Sequence, residues 1–179
     1  MDTVDDAYLV RRAREGYLDA YEELVARHGL RAYRVALRIL GNHHDAEDVA
    51  QEALVAAWRA LPNFRADATF ATWLYRIVTT RSLNRINRTM STYPLDAQSE
   101  LAARGSGPPE QAERSAAADA VAAAIATLPG PQRVALVLYQ FEGLSYADIA
   151  DVTGTSISAV RSHLHRARRT LASTLRDWR

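Results

Sequence analysis

The sequence predicts an all-α fold of two small helical domains joined by a flexible linker. Hydrophobic residues make up 48% of the chain, and they recur at helical spacing along most of it, without the long alternation typical of strands. Alanine, leucine and arginine dominate the composition and favour helices. The stretch from Ser91 to Arg114 breaks this pattern, because Gly105–Pro109 cannot continue a helix. The predicted division is domain one over residues 1–90, a linker over 91–114 and domain two over 115–179.

The composition narrows the chemistry that the chain can perform. Net charge is +1, and all 22 basic residues are arginine. The absence of cysteine excludes disulfides, thiolate catalysis and cysteine-ligated zinc. The chain has neither an apolar run that could span a membrane nor a secretory signal pattern at its start. We therefore expect a cytoplasmic protein with no stable membrane insertion and no cofactor.

A helix predicted from Asn42 to Leu61 has two contrasting faces. The inner face is apolar and comprises Ala46, Val49, Ala50, Ala53, Leu54, Ala57 and Leu61. The opposite side carries acids and an amide around one valine, with Asp48, Gln51, Glu52, Val55 and Arg59. An acidic face is a poor DNA binder. It is either an ordinary solvated surface or a surface for a partner protein with arginines.

The segment from Phe64 to Arg88 interleaves aromatic residues with arginines and has no acid after Asp67. Stacking of bases on aromatic rings and phosphate contacts from arginine are how proteins hold single-stranded nucleic acid. The same segment could also be a core helix that buries Phe70 and Trp73. Both interpretations can hold, because the two sets of residues fall on different faces.

The sequence near the C-terminus predicts a helix-turn-helix. Ser145 is an N-cap candidate with Asp148 as its capping-box partner. Gly154 can adopt the positive φ that ends the first helix, and Ser156 opens the second. The spacing of this motif is also present: a small residue, Ala150, is followed by a glycine four positions later and by a valine six positions after the glycine.

The second helix of this motif has a sorted charge pattern. At about 100° per residue, one side collects Val160, Leu164, Ala167 and Leu171, which we expect to be buried. The other side carries the arginines, serines and a histidine that suit phosphates and base edges. This predicts a recognition helix rather than a solvated basic helix in a bundle.

Taken together, the motifs DAEDVAQEAL, FRADATFATWLYRIV and LPGPQRVALVLYQFEGLSYADIADVTGTSISAVRSHLHRARRTL resemble the extracytoplasmic-function (ECF) sigma factors of bacterial RNA polymerase. The resemblance covers nearly the whole chain. It implies an alternative sigma factor that binds core polymerase and directs promoter-specific initiation. Its implied partners are the clamp of the largest polymerase subunit, the flap of the second-largest subunit, promoter DNA and an anti-sigma factor. That last partner could hold the chain at the membrane. The acidic linker would pass along the RNA exit path as a mimic of RNA.

The resemblance also implies three sets of binding residues. Core polymerase would contact Asp48, Gln51, Glu52 and Val55. The minus-ten element would contact Phe64, Arg65, Asp67, Trp73, Arg76, Thr80, Arg81, Arg85 and Arg88. The minus-35 element would contact Ser156, Ser158, Arg161, Ser162, His165, Arg166, Arg168 and Arg169. Many relatives have asparagine where this chain has Thr80, aspartate at Asn84 and arginine at His163, which bears on which bases are read.

Two other classes of function compete with this prediction. A helix-turn-helix repressor or activator that is not a polymerase subunit would explain domain two but leave the aromatic and arginine segment of domain one without a role. An enzyme or metal site could use the run His43-His44-Asp45. Adjacent histidines point about 100° apart on a helix and no Glu-x-x-His pair is present, so we predict no catalytic residue and no metal ligand.

Overall fold

The computed structural model describes residues 5–92 and 112–176. Domain one, here residues 5–92, contains four α-helices and a short 3-10 turn at Leu61–Asn63; the helices are α1 (Asp6–Arg14), α2 (Leu18–Leu40), α3 (His43–Ala60) and α4 (Phe70–Thr92). Domain two, here residues 112–176, contains α5 (Ala112–Ala126), α6 (Gly130–Gln140), α7 (Tyr146–Thr153) and α8 (Ile157–Thr174). The described residues contain no strand, in agreement with the predicted all-α class.

Small residues allow close packing of α2 and α3 in domain one. The predicted inner face of α3 is confirmed: its alanines and Val49 are buried, while Leu54 is half-buried against the core. Asn42 caps the N-terminus of α3, and its side chain accepts a hydrogen bond from the Asp45 N–H at 3.0 Å. The Tyr21 hydroxyl of α2 donates to the Leu54 carbonyl. That hydrogen bond ties the two helices together across their alanine-lined contact.

The helix-turn-helix of domain two forms as the sequence predicts. Ser145 and Asp148 make a capping box at the start of α7. Gly154 ends that helix in the left-handed region with φ 65°, and the Ser156 hydroxyl accepts from the Ala159 N–H at the start of α8. Val160 then lies in the core beneath both helices. The turn residues therefore fix the angle at which α8 leaves α7.

The two domains contact one another, and their buried apolar residues form one continuous cluster. Helix α4 packs against α7, and α2 packs against both α5 and α6. The flexible linker that the sequence predicts contains Gly105–Pro109, and that stretch lies outside the described residues. Helices α4 and α5 extend into both ends of the predicted 91–114 linker.

Gly154→Ala is expected to destabilise the protein by about 1–2 kcal/mol, because a side chain raises the energy of the left-handed backbone. A Cβ at Gly154 would meet no atom within 4 Å. The cost is therefore conformational rather than steric, and urea unfolding of the full chain measures it.

Gly29→Ala is the matched control. Gly29 lies inside α2, where a Cβ would make ordinary contacts with Val25 and Leu54 at 3.7 and 3.8 Å. We expect this change to be neutral or to stabilise by up to about 1 kcal/mol through helix propensity. Equal losses for the two variants would contradict the role assigned to the Gly154 turn.

Candidate nucleic-acid interface

Helix α8 presents its polar face to solvent. Every residue predicted for the minus-35 element is exposed: Ser156, Ser158, Arg161, Ser162, His165, Arg166, Arg168 and Arg169. Val160, Leu164 and Ala167 are buried on the other side, as predicted, while Leu171 is half-buried. The buried and exposed faces of α8 are therefore the ones that the sequence predicts.

The exposed groups of α8 are not equivalent. The Ser156 hydroxyl is engaged as the N-cap, and the Arg168 guanidinium lies 5.1 Å from the centre of the Tyr139 ring. The Arg166 Nε donates to the Ser162 carbonyl at 3.3 Å. Arg161 stands near the helix N-terminus, the end that approaches base edges in helix-turn-helix proteins.

His163 lies at the edge between the buried stripe and the basic face. Its Nδ1 is buried without a hydrogen-bond partner. The pKa of His163 lies below its ordinary value of 6.5. Burial is the larger cause, and the neighbouring positive charge of Arg166 adds to it. The neutral imidazole is therefore favoured in the folded chain.

The loop before α4 and the first turn of that helix form an aromatic cluster. The Trp73 ring packs on Phe64 and Phe70, with ring centres 4.9 and 5.8 Å away. Trp73 is half-buried, but Phe64 is only 4% exposed and offers almost no surface to DNA in this structure. Ala66 adopts a left-handed backbone with φ 58°, a conformation that costs about 1 kcal/mol for a non-glycine residue. That turn leaves Arg65 and Asp67 exposed beside the cluster.

The arginines of α4 point in three directions. Arg76 reaches domain two, where its Nη2 lies 2.7 Å from both the Asp151 carboxylate and the Asp151 carbonyl. Arg81 and Arg85 reach α3 instead. Exposed Arg88 lies further along, and exposed Thr80 donates to the Arg76 carbonyl.

The residues predicted for the minus-ten element and those predicted for core polymerase contact one another. Arg81 pairs with Glu52 at 2.9 Å, and Arg85 pairs with Asp48 at 2.9 Å and with Asp45 at 3.2 Å. These arginines hold α4 against α3 in the free chain. The sequence assigned them to DNA, and these ion pairs give them a positioning role that sequence periodicity did not reveal.

The outward face of α3 borders a shallow groove of about 740 Å³. All four residues predicted for core polymerase line it: Asp48, Gln51, Glu52 and Val55. Val55 is 45% exposed, an unusual position for a large apolar side chain amid acids. Arg59 and Arg81 line the same groove, so its rim carries both acids and arginines. An apolar centre within a charged rim is a composition suited to a protein partner.

The part of the chain that the structure describes contains no candidate membrane-spanning helix and no candidate metal site. None of its helices combines the length and apolar character needed to cross a bilayer. Its histidine, aspartate and glutamate side chains form no group of three or more that could hold a metal.

The two halves match two family models. Residues 24–92 match the Sigma-70 region 2 model, and residues 118–171 match the Sigma-70, region 4 model. These regions define a bacterial sigma factor. The whole-chain similarities narrow the class, and the chain belongs to the ECF sigma factors.

Two curated relatives are matched over almost their full length. The ECF RNA polymerase sigma factor SigW of Bacillus subtilis is 30% identical over 178 residues, which cover 94% of this chain and 95% of SigW. The RNA polymerase sigma-H factor of Pseudomonas aeruginosa is 36% identical, with 95% of this chain and 93% of that protein covered.

Solved structures agree in fold. CnrH, in complex with the cytosolic domain of CnrY, matches with 31% identity and a TM-score of 0.70, covering 96% of this chain and 97% of CnrH. The sigma factor RpoE of Bartonella quintana, in complex with the anti-sigma factor NepR, has a TM-score of 0.71 at 20% identity, with 87% and 96% covered.

His163 is expected to make the free chain less stable as the pH falls. Its folded pKa lies below 6.5, so the unfolded chain binds more protons in that range. Its stabilising contribution is complete above about pH 7.5 and is lost as the pH falls through 6.5 toward the lower folded pKa. Urea unfolding between pH 7.5 and 5.5 should show a shallower pH dependence for His163→Leu than for the parent. The control is His165→Leu, an exposed neighbour; an equal effect of both changes would contradict the prediction.

Proposed function

We propose that this ECF sigma factor binds core RNA polymerase through the outward face of α3, reads the minus-ten element with the Phe64–Arg88 segment and reads the minus-35 element with α8. The observation that carries the proposal is the register of α8. Its basic face is wholly exposed while its apolar stripe is buried. A helix of that kind on a capped turn is built to enter a major groove.

The α3 surface supports the polymerase part of the proposal. An exposed Val55 between acids and an amide is a small apolar centre with a charged rim. Such a surface gives affinity through the apolar contact, and orientation through the charges. A helix-turn-helix repressor that acts without polymerase does not need this surface. The surface therefore disfavours the repressor alternative.

The minus-ten assignment rests on Trp73 and the exposed polar residues around it. The ring is half-buried over Phe64 and Phe70, so it is held rigidly while part of it remains accessible. A held ring of this kind can stack on a base or shape a pocket for a flipped one. Phe64 supports it from below.

An anti-sigma factor is the further partner that we propose. The relatives CnrH and RpoE were solved in complexes, with the cytosolic domain of CnrY and with the anti-sigma factor NepR respectively. By analogy, a protein of that class binds this chain in the cytoplasm or holds it at the membrane. Transcription by core polymerase, with and without the chain, on genomic DNA tests the whole proposal.

Val55→Arg is expected to weaken binding to core polymerase about ten-fold, which is about 1.4 kcal/mol. The change places a positive charge at the centre of a surface that we assign to a basic partner, and it leaves the Glu52–Arg81 pair in place. Leu18→Arg, at a residue 55% exposed on α2, is the matched control. If both variants bind core polymerase like the parent, the α3 surface is not the polymerase site.

Arg161→Ala is expected to cost on the order of 1–3 kcal/mol and to relax the preference at one base of the minus-35 element. Arg169→Ala, later in the same helix, should weaken all promoters about equally and flatten the salt dependence. Transcription from a library randomised across the minus-35 element separates the two. A uniform loss for Arg161→Ala would mean that α8 docks in another register.

A further inference from the structure

The carboxylate of Asp6, the first residue of α1, is held by two basic side chains of α2. One of its oxygens lies 2.6 Å from His28 Nε2, and the other accepts from Arg27 Nη1 at 3.0 Å. Hydrogen bonds to an ionised carboxylate are shorter and stronger than those between neutral groups. The start of α1 is thereby fixed to the middle of α2.

The same contact fixes the imidazole of His28. An ionised carboxylate only accepts hydrogen bonds, so Nε2 carries a proton whether the ring is neutral or charged. The His28 side chain is 14% exposed, which leaves it little contact with solvent. The plane of the ring is therefore determined by the position of Asp6.

The His28 ring lies against Phe70, the first residue of α4. The two ring centres are 5.4 Å apart and the planes are inclined at 54°, a tilted arrangement of the kind that aromatic pairs favour. Phe70 packs in turn on Trp73, which packs on Phe64. A continuous line of contacts thus connects a carboxylate on α1 to the half-buried ring that we assign to the minus-ten element.

A groove of about 530 Å³ lies behind the aromatic cluster, between α1 and the loop before α4. Asp6 and Arg27 border it on one side, and Phe64 and Phe70 border it on the other. Unfilled space beside a ring allows the ring to move, because no packed neighbour has to be displaced. The contact with His28 is therefore important for the position of Phe70.

The other end of α1 also lies close to the minus-ten loop. The Arg14 Nη2 is 3.5 Å from the Pro62 carbonyl, two residues before Phe64. The match to the region 2 model begins at residue 24, so α1 precedes the matched residues. Neither Asp6 nor His28 is among the residues that the sequence predicts for DNA.

We propose that Asp6 and His28 are positioning residues for Trp73. The carboxylate of Asp6 orients the imidazole, the imidazole holds Phe70, and Phe70 holds the Trp73 ring at the minus-ten surface. Asp6 and His28 act through that ring and do not contact DNA themselves. The consequence for promoter opening rests on the proposed function, whereas the effect on Trp73 is a property of the chain alone.

Fluorine NMR of the full chain labelled with 5-fluorotryptophan tests the effect on Trp73 without polymerase. The chain has three tryptophans, and Trp73→Phe identifies the resonance of Trp73. Asp6→Ala removes the carboxylate and leaves the His28 ring, while His28→Gln retains a donor for Asp6 and removes the ring. Both changes should shift or broaden the Trp73 resonance, because each interrupts the line of contacts.

Two controls separate positioning from a general loss of stability. Glu23→Gln removes another carboxylate of the same charged cluster and leaves the Asp6–His28 contact in place. Gly154→Ala destabilises the turn in domain two. Neither control should change the Trp73 resonance. If Asp6→Ala and His28→Gln leave that resonance unchanged, or if Gly154→Ala changes it equally, the two residues only stabilise the fold and the proposal is overturned.

Promoter opening by the chain with core polymerase tests the consequence. Asp6→Ala and His28→Gln should slow strand opening about three- to ten-fold, because a misplaced ring loses its pre-organised geometry. The permanganate reactivity of unpaired thymines measures the rate, and binding of core polymerase should not change. Glu23→Gln should open the promoter at the parent rate. In a Trp73→Ala background, Asp6→Ala should have little further effect, since it acts through that ring.

The outcomes distinguish this proposal from the proposed function. If Trp73→Ala slows opening while Asp6→Ala and His28→Gln do not, Asp6 and His28 are not positioning residues. If the Trp73 resonance changes as expected but Trp73→Ala opens the promoter at the parent rate, the positioning stands and the minus-ten role of Trp73 fails.

Discussion

The buried carboxylate of Glu142 fixes how the two halves of the molecule meet. A charge withdrawn from water costs several kcal/mol unless hydrogen bonds and opposite charges replace the solvent. Tyr75, Arg31 and Arg38 provide that replacement, and all three belong to domain one. Burial and the carboxylate together raise the pKa of Tyr75, so its hydroxyl remains a donor at any physiological pH. The packing of α6 on α2 and of α7 on α4 accompanies this contact.

Arginine chemistry explains how a chain without lysine can use one residue type in several ways. The guanidinium of Arg133 reaches three carbonyls at once, which the compact ammonium of lysine could not do with the same geometry. Burial lowers the pKa of Arg133, although a guanidinium remains charged in proteins. Arg85 bridges two acids of α3, and Arg161 is exposed. Position and burial, rather than arginine content, distinguish the structural arginines from those that we propose to contact DNA.

Local sequence signals predicted the elements whose determinants lie within a few residues. The Ser145–Asp148 capping box, the Gly154 turn and the period of α8 each involve neighbours in the chain, and each is present. The inner face of α3 is predictable for the same reason.

Contacts between residues far apart in the chain could not be predicted, because they produce no periodic pattern in a single sequence. Tyr75 and Glu142 are 67 positions apart, and Arg85 is 37 positions from Asp48. The exposed acids and arginines therefore looked like solvated faces or DNA contacts. The left-handed backbone at Ala66 was equally hidden, because alanine carries no preference for it. Tertiary partners, rather than propensity, determine these features.

The energetics of the domain contact make it reversible. The Arg76–Asp151 pair is largely exposed and contributes at most about 1 kcal/mol. Buried Glu142 and Arg133 stabilise the contact more than this pair does while the two domains are together. When the domains separate, the carboxylate and the guanidinium return to water and recover their solvation free energy. The net preference is therefore a small difference between large terms. A partner that binds the chain only when its domains are apart, present at 100 times its Kd, stabilises that state by about 2.7 kcal/mol. Binding of that strength cancels a preference of the same size for contact between the domains and reverses a smaller one. No covalent change in the chain is needed.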